Sequence, residues 1–129
     1  MVREQDGRNT YDIHVDDKLL NVKISDEVIA TIAALAATEV EGVAAMSGNV
    51  TKDLISKLGM KSLSKGVKIE LENEIVEVFL ALQVEYGYSI PKISKAVQDK
   101  VKTAIETMTG LKVSGVNIRI ASVNVDKNA

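Results

Sequence analysis

The chain has no cysteine and no tryptophan, and among its 129 residues only one proline, one histidine and one phenylalanine. Without cysteine there is neither a disulfide framework nor a thiolate nucleophile. The single histidine, His14, lies in a polar N-terminal stretch, so a histidine-based triad has no well-placed general base. With three tyrosines beside that one phenylalanine, a base-stacking platform for single-stranded nucleic acid is not expected. An excess of one charge is missing too. The 16 basic and 18 acidic side chains leave a formal net charge of −2, which gives a nucleic-acid duplex nothing to bind. No run approaches the roughly 20 apolar residues that span a bilayer. The segment Met1–Gly7 lacks the apolar core of a secretory signal, so the expected location is the cytoplasm.

What is present is 46% hydrophobic residues in a mixed-charge background, enough for one soluble domain with a sizeable core. The stretch from Gly66 to Val123 organises it. Val67-Lys68-Ile69-Glu70-Leu71-Glu72 alternates apolar and charged, the mark of a strand with one buried face. Asn73-Glu74 suits a two-residue turn, and the second strand, Ile75 to Tyr86, carries Val76, Val78, Leu80, Leu82, Val84 and Tyr86 on one face. That turn sets Leu71 opposite Val76 and Glu70 opposite Glu77, so a cation is expected near the two acids, with Arg119 the candidate. Gly87 breaks the strand, Ser89 caps a helix and Pro91 falls in its first turn. Ile90, Ile93, Val97, Val101, Ala104, Ile105 and Met108 recur at helical spacing, and Gly110 is the stop signal. Val116, Ile118 and Ile120 form the closing strand.

Upstream, residues 1–20 read as a flexible arm in which Tyr11, Ile13 and Val15 allow a short strand. Leu20–Ile24 is a second short strand, followed by Ser25 as N-cap with Asp26 and Glu27 in the first helical turn. The helix from Asp26 to about Val40 is apolar all round, with only Thr31 polar between Val28 and Ala37. Such a helix has to be covered on more than one side. Two covers are open: the sheet and another element of the chain, or a second copy packed on Ala30, Ala33, Ala34 and Ala37. Glu41-Gly42 ends the helix, Val43–Met46 suits a short strand, and Thr51–Leu58 suits a short helix. Lys52, Lys57, Lys61 and Lys65 stand against one acid, Asp53, and read either as a solvated loop or as an anion- or partner-binding patch.

Catalytic chemistry is thin. Asp12, His14 and Asp16 share one side of a strand, but a chain end gives metal ligands little supporting structure. Gly42 and Gly48 are not followed by the Lys-Ser/Thr of a phosphate-binding loop. Strand alternation puts Glu70, Glu72, Glu77 and Glu85 in water, where carboxylates make poor acid–base pairs. No catalytic residue, metal or cofactor is expected, and the chain reads as a binding domain.

The run Glu39-Val40-Glu41-Gly42-Val43 resembles the motif ending the first helix in the alkaline shock protein family of Gram-positive bacteria. Lys65-Gly66-Val67-Lys68 and Val84-Glu85-Tyr86-Gly87-Tyr88-Ser89-Ile90-Pro91 are similar to that family's hairpin and the start of its long helix. Gln98, Val101, Glu106, Met108-Thr109-Gly110 and Val116-Asn117-Ile118 fit its closing helix and strand. The resemblance covers Val22 to Val125. It implies a small cytoplasmic α/β protein of cell-envelope homeostasis and stress without known catalytic residues. Some members reach the membrane through a separate anchored partner, and some assemble with themselves. The expected architecture is one α/β domain of α+β type over residues 21–125, with a tail at 126–129. In it two long helices pack on a mixed, largely antiparallel sheet. The expected function is a non-enzymatic interaction or scaffold protein of the envelope stress response. The alternative is a regulator that binds an anionic small molecule or lipid headgroup, with a link to lipid metabolism.

Overall fold

The computed structural model describes residues 10–13, 22–46 and 66–125. In chain order these form β1 (Thr10–Ile13), β2 (Val22–Ser25), α1 (Asp26–Thr38), β3 (Val43–Met46), β4 (Val67–Glu72), β5 (Ile75–Glu85), α2 (Ile90–Thr109) and β6 (Lys112–Asn124). β5 is the axis of the main sheet. Along one flank it pairs antiparallel with β4 over its first half and with β3 over its second. Along the other flank β6 runs parallel to it from Ile75 to Glu85. A parallel neighbour requires a crossover, and α2 supplies it. β1 and β2 form a separate antiparallel pair. This is the expected α+β domain with a mixed, largely antiparallel sheet.

The β4–β5 hairpin has the register that its alternation dictates: Leu71 faces Val76, Ile69 faces Val78 and Val67 faces Leu80. Asn73 and Glu74 both take positive φ, 55° and 64°, the requirement of a two-residue turn that matches strand twist. Val76, Val78, Leu80, Leu82 and Val84 are buried in one core with Ile29, Ala33 and Ala37 of α1 and Val97, Val101 and Ile105 of α2. No described helix packs on the opposite face of the sheet.

Ser25 and Ser89 cap their helices through side-chain oxygens that accept from Val28 N and Lys92 N. α2 closes at Gly110, whose φ of 78° is left-handed. Its buried stripe is Ile93, Val97, Val101 and Ile105. Ile90 and Met108, which share the spacing, are exposed; at its C-terminal end the stripe continues to Thr109, one turn after Ile105, which is buried.

The short strand that Tyr11 and Ile13 allow is present: Thr10–Ile13 pairs with Val22–Ser25, and Lys23 Nζ reaches Asp12 Oδ1 at 2.7 Å. One boundary differs from the sequence reading. β5 ends at Glu85, so Tyr86 lies beyond the buried face and is 66% exposed.

Candidate interaction surfaces

The first surface is a corner where two distant stretches meet. After α1 the chain turns through Gly42 at a φ of 98°. Gly42 O accepts from Glu85 N at 2.8 Å, which fixes the turn to the end of β5. Tyr88 lies over it, its hydroxyl donating to Glu41 Oε2 at 3.3 Å. A Cβ at Gly42 would come within 2.8 Å of Ile93 Cδ1 and 2.9 Å of Tyr88 Cδ2, so only glycine fits. The negative charge of Glu41 raises the Tyr88 pKa above its ordinary value, with burial, the Glu41 hydrogen bond and Glu85 adding to the effect. Tyr86, Tyr88 and Ile90 are exposed around this turn, and Lys100 Nζ stands 3.5 Å from Glu39 Oε1 at its edge.

The second surface is the open face of the sheet. Gly66 has no side chain and Ala81 only a methyl, so a depression of about 470 Å³ forms beside Phe79. Lys68 and Arg119 rim it from the strands on either side of β5. Lys68 Nζ is 6.0 Å from the Phe79 ring centroid. Towards the hairpin the same face turns acidic: Glu70, Glu72 and Glu77 surround Ile75.

The residues singled out from sequence separate accordingly. Lys52, Lys57, Lys61 and Lys65 lie outside the described residues, as do His14, Asp16 and the expected helix Thr51–Leu58. Ala30, Ala33, Ala34 and Ala37 are buried within the single chain, between the main sheet, α2 and the β1–β2 pair. They therefore fill the core and are not displayed for self-association. Glu70 does face Glu77, but the neighbouring groups are Lys68, 3.5 Å from Glu70, and Asn117, whose amide donates to Glu77 at 3.0 Å. Arg119 is registered with Ala81 instead, two steps further along β5.

Sequence reasoning missed both surfaces. The corner joins residues far apart in the chain, which no local period reports. The depression had a signal: Phe79 and Ile75 interrupt the polar side of an otherwise alternating strand.

A family model described as alkaline shock protein 23 family, cell envelope-related function, matches residues 14–125. "Uncharacterized protein YqhY" of Bacillus subtilis is 36% identical over 116 residues, 90% of this chain and 86% of that protein. "Uncharacterized protein YloU" of the same organism is 35% identical over 115 residues, 88% of this chain and 96% of that protein. A "stress response regulator gls24 homolog" of Streptococcus pyogenes is 30% identical over 99 residues, 76% of this chain but 55% of that longer protein. A family match from residue 14 to residue 125, with relatives aligned over most of their own length, means that the chain belongs to the alkaline shock protein family of Gram-positive bacteria, whose function is related to the cell envelope.

Proposed function

We propose that this protein is a non-enzymatic interaction domain of the envelope stress response, and that it holds a protein partner at the corner of Glu41, Gly42, Tyr86, Tyr88 and Ile90. The observation behind this reading is the build of the corner. Large amphipathic side chains stand in solvent, yet Tyr88 is fixed from beneath by Gly42 and Ile93 and from the side by Glu41. Tyrosines held in this way lose little entropy on binding and supply the anchors typical of protein interfaces. Among the described residues no helix is long and apolar enough to cross a membrane. A partner anchored in the membrane would then deliver the domain to the envelope.

The test uses the tagged full chain in its native cells. Tyr86→Ala with Tyr88→Ala should abolish recovery of a specific membrane-anchored protein and empty the membrane-associated fraction, while thermal unfolding shows the variant still folded. Recovery undiminished in that variant would remove the corner from the account. Tight, salt-resistant binding of the pure protein to vesicles would remove the need for a partner altogether.

A further inference from the structure

The corner of Tyr86 and Tyr88 continues into the end of β6. Val123 is registered with Val84 and Asn124 with Glu85, and Tyr86 N donates to Asn124 O at 3.0 Å. Val123 and Val125 therefore stand at the same end of the main sheet as Tyr86, Tyr88 and Ile90. Among the described residues, these five are the greater part of the nine large apolar side chains that are exposed. Apolar surface gathered in one place from three separate stretches of chain marks an interaction site.

The charge at this end is one-sided. Neither Glu41 nor Glu85 forms a salt bridge with any described residue, and the nearby cations are engaged elsewhere or reach neither acid. Lys100 pairs with Glu39 at 3.5 Å and Lys95 with Asp99 at 3.2 Å, while Lys92, in the first turn of α2, bridges neither carboxylate. The Tyr88 phenol feels both: the charges of Glu41 and Glu85 each raise its pKa. One cation beside that ring would be attracted by the two acids together.

From this union of exposed apolar surface and uncompensated carboxylates we infer that the partner segment held at the corner is cationic, an arginine flanked by apolar side chains. Its guanidinium sits beside Glu41, Glu85 and the Tyr88 ring, and the flanking side chains cover Tyr86, Ile90, Val123 and Val125. Arginine fits better than lysine, because its planar fork bonds carboxylate oxygens and stacks on an aromatic face. A neutral segment would desolvate two carboxylates without compensation. An acidic segment, a nucleic acid or an anionic membrane would meet like charge. The inference rests on the corner being a partner site and adds the chemistry of what it takes.

The probe is a short labelled peptide of alternating arginine and leucine, with a counterpart carrying glutamate in place of arginine. In fluorescence anisotropy with the full chain, the arginine peptide should bind and should weaken as salt rises. Glu41→Gln with Glu85→Gln keeps an acceptor for the Tyr88 hydroxyl and should weaken binding about fivefold or more, the size of one or two exposed ion pairs. Glu70→Gln with Glu72→Gln removes the same charge from the hairpin and should leave binding unchanged. Saturating arginine peptide should also lower the tyrosinate titration of Tyr88, isolated by difference from Tyr88→Phe, since arginine stays charged through that range. The inference is overturned by an arginine peptide that does not bind up to about 1 mM, by equal binding of the glutamate peptide, by equal losses in the two double variants, or by a Tyr88 titration that the peptide leaves in place. The parent reading fails separately. If Tyr86→Ala with Tyr88→Ala abolishes recovery of the anchored protein but Glu41→Gln with Glu85→Gln does not, the corner stands and the cationic partner is overturned. If the tyrosine variant keeps that recovery, corner and inference fall together.

Discussion

Gly42 and Ile93 touch so closely that a Cβ on the glycine would lie 2.8 Å from Ile93 Cδ1, closer than real side chains approach. Gly42 also has a φ of 98°, a conformation that L side chains rarely adopt. Gly42→Ala should therefore cost both backbone strain and overpacking, together about 2–4 kcal/mol in denaturant unfolding. Gly87, at a φ of 99° with nothing within 4 Å, serves as the control. Gly87→Ala should cost only the backbone part, about 1–2 kcal/mol. Equal losses for the two variants would show that the contact with Ile93 is slack.

The buried stripe of α2 makes a sharper contrast. Val101 is fully buried, so Val101→Asp places an uncompensated charge in the core and should cost more than about 4 kcal/mol, enough to unfold a domain of this size. Lys95 is exposed and pairs with Asp99 at 3.2 Å one turn away. Lys95→Asp should cost only a few tenths of a kcal/mol, the usual size of such a pair. Similar thermal shifts for both would contradict the helix face described.

Where a local period decides the structure, the sequence was legible. The β4–β5 register, the glycine stop of α2 and its buried stripe all follow from alternation, turn chemistry and helical spacing. The all-apolar α1 announced a doubly covered helix but not which cover, because alanines suit a close neighbour within the chain or outside it. The wrong cation beside Glu70 and Glu77 shows the other limit. The register of parallel β6 on β5 places Arg119 beside Ala81, a pairing set by the crossover that no reading of one strand foresees. Likewise the corner of Glu41, Tyr88 and Ile93 depends on how the end of α1 is laid against the end of β5, a tertiary relation with no local pattern.

The end of α2 is tied to β6 through Glu106, whose Oε2 accepts from Val113 N at 2.9 Å and from Lys102 Nζ at 3.2 Å. The Val113 hydrogen bond, helped by Lys102, holds the Glu106 carboxyl below its ordinary pKa. The folded state therefore keeps this group charged at a pH where the unfolded chain has taken up a proton. Stability from this source is present above the ordinary glutamate value of about 4.3 and is lost as pH falls towards the lowered folded value. Glu106→Gln keeps an acceptor for Val113 but removes the charge. It should flatten the acid side of a stability–pH profile and leave the alkaline side unchanged. An acid limb identical to that of the wild type would mean that the link carries no charge-dependent stability.

Tyr88 gives the opposite limb. Its pKa is raised, chiefly by the charge of Glu41, so the folded chain retains the phenol proton after the unfolded chain has lost it. The stability involved is fully present below the ordinary tyrosine value of about 10 and declines as pH rises through the folded value. Tyr88→Phe should remove that part of the alkaline decline. The difference in tyrosinate absorbance between wild type and this variant should titrate above the ordinary value. Glu41→Gln takes away the first cause of the shift and should bring that titration back down, with the protein still folded. A Tyr88 titration that ignores Glu41→Gln would show that the two side chains are not coupled. The corner would then lose the restraint that makes Tyr88 a pre-positioned anchor, and partner capture by Tyr88 would need another source of rigidity.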